Sequence, residues 1–165
     1  MGRLVLLDLA DPASALKRLC RFLRPGGLVV FHEMDMTTAR CVPPVPLYDR
    51  VLYWLTETFR RGGVELDMGS RLFATFRRAG LPPPEMVLRA PIEGTLDSPA
   101  FAYVTSTLGS LLPMAERLGV VTAAEVQIET LADRLRDEVA RLDAVVILPA
   151  LVGAWTRTIN EVVAT

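Results

Sequence analysis

An α/β fold is predicted, with about four strands: two parallel, then a terminal antiparallel pair separated by a helical insert. Three observations predict it. A buried strand, a helix and a second buried strand follow one another from residue 3 to 35, joined by the turn Pro25-Gly26-Gly27. Two strands with a helix between them make a parallel unit, and its crossover is right-handed in nearly all known cases. The chain then closes on the mostly apolar run AVVILPALVGAW, residues 144–155. With 165 residues, 51% of them hydrophobic, residues 1–165 are expected to form a single partial domain, with 97–142 as the helical insert.

The stretch RLVLLDL, residues 3–9, reads as a strand with apolar residues on both faces. Asp11 suits the N-cap of the following helix and Pro12 its first turn. Ala15, Leu16, Leu19, Cys20, Phe22 and Leu23 recur at helical spacing and are expected on one apolar stripe. Pro25, Gly26 and Gly27 stop the helix and turn the chain into the strand that opens with LVVF, residues 28–31.

A proline-rich loop spans residues 37–45, and Pro46 opens a helix carrying Leu47, Val51, Trp54, Leu55 and Phe59 inward until Gly62-Gly63. Asp67 is expected to cap the next helix, with Leu72, Phe73, Phe76 and Ala79 inward and Gly80 at its end. A strand is expected over residues 85–92, at a sheet edge because of Pro91. Helical pattern resumes at Ser98 and is expected to break at Pro113. Thr122 and Glu125 have capping-box spacing, and Ala124, Ile128, Leu131, Leu135 and Val139 follow at threes and fours. Residues 144–155 then form the last strand, with a bulge expected at Pro149 or Gly153.

Composition excludes several classes. The net charge is −1 with both signs dispersed, which argues against nucleic-acid binding. The longest apolar run contains a proline and falls short of the roughly 20 residues that span a bilayer, so no membrane partner is expected. Two distant cysteines give neither a disulfide framework nor metal spacing, and the one histidine gives no His-rich metal site. Cys20 is expected in the core. Cys41 is expected in a loop, where a free thiol implies a reducing compartment, and the cytoplasm is the expected location.

Residues 3–35, RLVLLDLADPASALKRLCRFLRPGGLVVFHEMD, resemble the fourth strand, following helix and fifth strand of class I S-adenosylmethionine-dependent methyltransferases. Asp11, Pro12, Ala15, Leu16, Leu19, Leu23, Arg24, Pro25, Gly26 and Gly27 carry the family's frequent phrase. LDMGSRLFATFRRAGL is similar to the helix before the sixth strand, and AVVILPALVGAWTR to the last strand. The resemblance implies a partial Rossmann-like methyltransferase sheet, S-adenosyl-L-methionine as cofactor and a small-molecule acceptor. It also implies a missing half, expected before Met1, carrying the Gly-rich loop and the acidic residue that hold the cofactor. Binding by this chain alone is therefore expected to be weak or absent.

Open parallel sheets bind ligands beyond the carboxyl ends of their strands. Asp8 and Leu9 lie at the first such end and are the candidate cofactor-binding residues. Asp8 either lines the cofactor cleft or ends the strand and caps nearby backbone. His32, at the second end, is the candidate catalytic base; alternatively it is an interior histidine. Glu33 and Asp35 are candidate substrate-binding residues, or simply solvated acids. Alternation along a strand puts His32 and Glu33 on opposite faces. Tyr53 and Trp54 are candidates to cover an apolar acceptor, against the alternative that the aromatic stripe is core; family helices at this position commonly cover the acceptor pocket. The turn at residues 24–27 lies at the wrong end of the strand for a phosphate loop. A competing expectation is a non-catalytic interaction domain. In it, the bare edge at residues 3–9 pairs with a second copy or a partner chain.

Overall fold

The structure, a computed structural model, describes residues 1–158. In chain order its strands and helices are β1 (Gly2–Arg3), α1 (Pro12–Cys20), β2 (Leu28–Asp35), β3 (Arg40–Val42), α2 (Pro46–Arg61), α3 (Met68–Arg78) and β4 (Glu85–Arg89). Then come β5 (Ile92–Glu93), α4 (Pro99–Arg117), α5 (Ala123–Val126), α6 (Ile128–Arg141), β6 (Val145–Ile147) and β7 (Ala150–Arg157). The chain divides into two compact units. Of the described residues, one takes 1–35, 64–89 and 150–158; the other takes 36–63 and 90–149. The stretch 97–142, expected as an insert, falls within the second unit, which also takes residues 36–63.

The first unit is a four-stranded mixed sheet in the order β1-β2-β7-β4. β1 runs parallel to β2, while β7 is antiparallel to both β2 and β4. Alternate residues of β2 and β7 turn Val29, Phe31, Val152 and Ala154 inward. They meet Leu16 of α1 and Met68, Leu72 and Phe76 of α3 in one core. Phe31 and Phe76 pack edge to face, centroids 6.2 Å apart. Each such side chain contributes about 1.5–3 kcal/mol by leaving water. Asp11 caps α1 as expected, accepting from the Ser14 N–H at 3.0 Å. Gly26, at φ 72°, makes the turn into β2. Arg157 Nη1 donates to its carbonyl at 3.0 Å, tying the last strand to that turn.

Several expectations are corrected here. Residues 3–9 do not form a strand: β1 stops at Arg3, and Leu4 takes a left-handed φ of 51°. A 3-10 turn at Leu6–Asp8 follows, burying Leu6 and Leu7. The cause is Glu33, whose carboxylate takes the Val5 and Leu6 N–H groups that a strand would have offered sideways. The interaction edge expected at residues 3–9 is thus two residues long. The apolar stripe of α1 is only partly covered, for the helix ends at Cys20 and Phe22 beyond it is 86% exposed. Leu19 is exposed too, and Cys20, expected in the core, is half-buried and packs against its margin. Asp67 stands at the N-cap of α3 but makes no capping bond, because Arg71 takes its carboxylate. Phe73, expected inward on α3, is exposed.

The second unit joins α2, α4 and α6 to a three-stranded antiparallel sheet in the order β3-β6-β5. Leu47, Val51 and Leu55 of α2, Val104 and Leu108 of α4, and Leu131, Leu135 and Val139 of α6 supply its interior. Cys41, expected in a loop, lies buried in β3. Ser98 caps α4, and the helix continues through Pro113 to Arg117. Fully buried Ala115 anchors the turn beyond that proline. Thr122 and Glu125 form the expected capping box, but it opens a single turn, α5. Gln127 at φ 49° separates that turn from α6.

The strands expected at residues 85–92 and 144–155 are each divided. β4 and β7 belong to the first unit, β5 and β6 to the second. The breaks fall at Ala90-Pro91 and Leu148-Pro149, where proline removes a ladder donor.

Candidate functional site

The carboxyl end of β2 gathers the polar chemistry of the first unit. Alternation puts Glu33 and Asp35 on the core face, and both are buried, Glu33 fully. They are not solvated acids. Glu33 Oε1 accepts the Val5 N–H at 3.1 Å and the Leu6 N–H at 3.0 Å, while the Leu4 N–H bonds the His32 carbonyl at 2.9 Å. The exit from β1 is therefore fixed by the end of β2. Glu33 Oε2 is buried with no partner among the described residues. Buried carboxylate oxygens are rarely left so, since the desolvated lone pairs are then uncompensated.

Asp35 accepts from the Ser70 hydroxyl. Ser70 lies in the first turn of α3, which approaches the strands closely because Gly69 has no side chain. A Cβ there would stand 2.8 Å from Val152 Cγ2 and 3.2 Å from the Glu33 carbonyl oxygen. Gly69 and Ser70 were not among the residues the sequence singled out. Their signal is faint: a small pair just inside the start of a helix.

On its other flank, the start of α3 borders a groove of about 380 Å³ lined by Leu9, Ala10, Glu65, Asp67, Arg71 and Arg78, among others. Arg71 Nε bonds Asp67 at 2.6 Å, and its Nη1 lies 3.2 Å from Glu65. A hydrogen bond with Asp67 pushes the Glu65 carboxyl up, and burial adds to the rise. Burial also pushes Asp67 upward, but hydrogen bonds from Arg71 and Glu65 outweigh it and hold Asp67 below the usual range. Arg71 thus faces both carboxylates, and Asp67 is the more acidic of the two. The Asp67-to-Arg71 spacing of four is the sequence signal that points to this cluster.

The candidates separate as follows. Leu9 lines the groove, whereas exposed Asp8 ends the 3-10 turn. Glu33 and Asp35 are together on one face. His32 is half-buried on the opposite face, across from Gly153 in the ladder, and its imidazole has no polar partner among the described residues. No histidine–carboxylate set exists at this strand end. Tyr53, 57% exposed, and half-buried Trp54 lie on α2 of the second unit.

Among the described residues, no cluster of histidine, cysteine, aspartate and glutamate is arranged to hold a metal ion, and no helix is long and apolar enough to cross a membrane. No protein-family model matches the chain, and no curated protein aligns with it significantly.

Proposed function

We propose that this chain is part of an S-adenosylmethionine-dependent methyltransferase acting on a small molecule. One observation carries the reading. The two-residue strand β1, at the head of the segment resembling the family's fourth strand, runs parallel to β2, which resembles the fifth, and β2 ends in a pair of buried carboxylates beside the turn that leaves β1. Open sheets place their ligand clefts at such ends. β7, from the segment resembling the last strand, and β4, which follows the helix resembling the one before the sixth strand, complete the same sheet, which further supports the reading.

The residues fit the cofactor on one side only. Leu9 and Ala10 offer an exposed wall, while the spare acceptor Oε2 of Glu33 is buried. No glycine-rich loop follows a strand among the described residues, so nothing there grips an amino acid or ribose. The cofactor, when bound, supplies a methyl group activated by sulfonium charge. The chain's own contribution is position: Glu33 fixes the backbone that carries Leu9, and a rigid wall aligns reactants that would otherwise pay the entropy of meeting. His32 is the candidate for receiving an acceptor proton, acting alone.

The test is a nuclear magnetic resonance titration with S-adenosylhomocysteine. Weak saturable binding is expected, with a Kd on the order of 1 mM, and with shifts concentrated at residues 9–10 and 32–35. Absence of saturable shifts, or shifts centred on residues 24–27, would defeat the proposal. Micromolar affinity would defeat the one-sided grip.

A second reading, a non-catalytic interaction domain, is favoured by the apolar surface of the first unit, where Leu19, Phe22, Leu28 and Leu88 are all exposed. The two residues of β1 offer it little, which leaves the opposite edge of the sheet.

A further inference from the structure

At that opposite edge lies β4, Glu85–Arg89, hydrogen-bonded to β7 on one side only. All five residues are exposed. Met86, Val87 and Leu88 are 36%, 42% and 53% exposed, an unusual cost for a strand whose outer backbone row is also unpaired. Natural edges are often protected by inward-pointing charges, by a bulge that twists the edge away or by covering structure. This one instead has an acid at one end and a base at the other, with three apolar residues between. Neither the Glu85 carboxylate nor the Arg89 guanidinium has an ion-pair or hydrogen-bond partner among the described residues.

We propose that β4 is a homodimer interface: two copies of this chain join β4 to β4, antiparallel, about a twofold axis at Val87. The sequence Glu-Met-Val-Leu-Arg is self-complementary in that register. Glu85 of each copy faces Arg89 of the other, Met86 faces Leu88, and Val87 faces Val87. Each facing pair is one that stabilises adjacent strands: opposite charges at both ends and apolar pairs between them. A slip in either direction separates both ion pairs. Pro84 before the strand and Pro91 beyond it cannot donate to a ladder, which confines the pairing to these residues.

The occupant is a second copy rather than an unrelated strand because the charges complement their own image. The arrangement is isologous and closes at two. The other edge of the sheet, β1, has two residues and offers no route to a fibre. Edge pairing over five residues buries less than the roughly 1,000 Å² of a stable interface, so a Kd on the order of 10–100 μM is expected. The inference does not depend on methyl transfer.

Sedimentation equilibrium over about 5–500 μM tests it. The wild type should show a monomer–dimer equilibrium. Glu85→Arg alone and Arg89→Glu alone each place like charges opposite one another twice and should weaken dimerisation at least about tenfold. An equimolar mixture of those two variants should recover it, because every facing pair is again opposite in sign, and the double swap E85R/R89E should recover it within one chain. These positions are on the surface, and the recovery arms separate lost pairing from lost folding. A wild type monomeric throughout the range would overturn the proposal. So would a dimer indifferent to the single reversals, or single variants that neither the mixture nor the double swap restores.

Discussion

Among the described residues both units bury hydroxyls, Thr75 in the first, but only the first buries carboxylates. In the first, two carboxylates, Glu33 and Asp35, are sunk at the end of a strand and answered by distant backbone and side chain. In the second, the buried polar groups are hydroxyls. Thr58 and Thr105 donate to carbonyls of their own helices, and Ser98 caps the helix it precedes. A hydroxyl bonded within its own turn is a local accommodation. A buried carboxylate requires partners brought from elsewhere in the fold, and it is retained at a cost that packing alone does not recover. The first unit also holds most of the exposed large apolar side chains, Phe22 and Leu88 among them. One unit is finished around its own core. The other spends stability on a strand end and leaves surface to be covered.

The sharpest break of this contrast is at Glu33. Glu33→Ala strands two N–H groups, Leu6's fully buried, and should cost about 3 kcal/mol. Glu33→Gln keeps an acceptor in place and should cost about 1 kcal/mol. Urea melts settle it, read by Trp155 in the first unit with Trp54→Phe as background. Equal costs for the two variants would show that the carboxylate does not hold the β1 exit.

A smaller effect compares two glycines. Gly69→Ala pushes a methyl against Val152 and the Glu33 carbonyl and should destabilise by about 1–2 kcal/mol, despite alanine's better helix propensity. In the second unit, a Cβ at Gly62 meets mainly the flexible end of Met114. Gly62→Ala should stay within about 0.5 kcal/mol of wild type, because the side chain swings aside and the unfolded chain loses freedom. Thermal melts of both variants check the difference.

The smallest effect concerns the thiols. Burial pushes Cys41 up to about 12, with Asp49 and Glu138 adding to it, while burial raises the half-buried Cys20 as well. An aromatic disulfide reagent at neutral pH should label Cys20 in the folded protein and Cys41 only after the second unit opens. The unfolded Cys41 thiol ionises near its ordinary value, so between about pH 9 and 12 the unfolded state holds fewer protons than the folded one. The contribution of Cys41 is therefore intact below pH 9 and lost as pH climbs through that window. Cys41→Ala should flatten the alkaline decline in melting temperature; an unchanged decline would remove the thiol from the account.

Much of the fold was legible in local signals. Asp11-Pro12, Pro25-Gly26-Gly27 and the Thr122–Glu125 box each act within a few residues: the first opens α1 and the second turns the chain into β2, though α1 has already ended at Cys20, and the third opens the single turn α5. Misreadings arise where a distant group decides. Nothing in RLVLLDL shows that Glu33 will take its amides. Nothing in AVVILPALVGAW shows that its halves enter different sheets, although Pro149 marks the break. At the site, alternation along β2 correctly parts His32 from Glu33. The partnership of Asp35 with Ser70 was invisible because it depends on how closely α3 packs.

The place of β7 has a consequence for biosynthesis. It follows every other described strand in the chain, yet it lies between β2 and β4. A nascent polypeptide that has emerged only as far as Pro149 holds β4 with no neighbour and β2 with one flank open. The first unit must wait for the final strand to thread between two already made, while the second unit, complete by Pro149, is free to fold on the ribosome ahead of it.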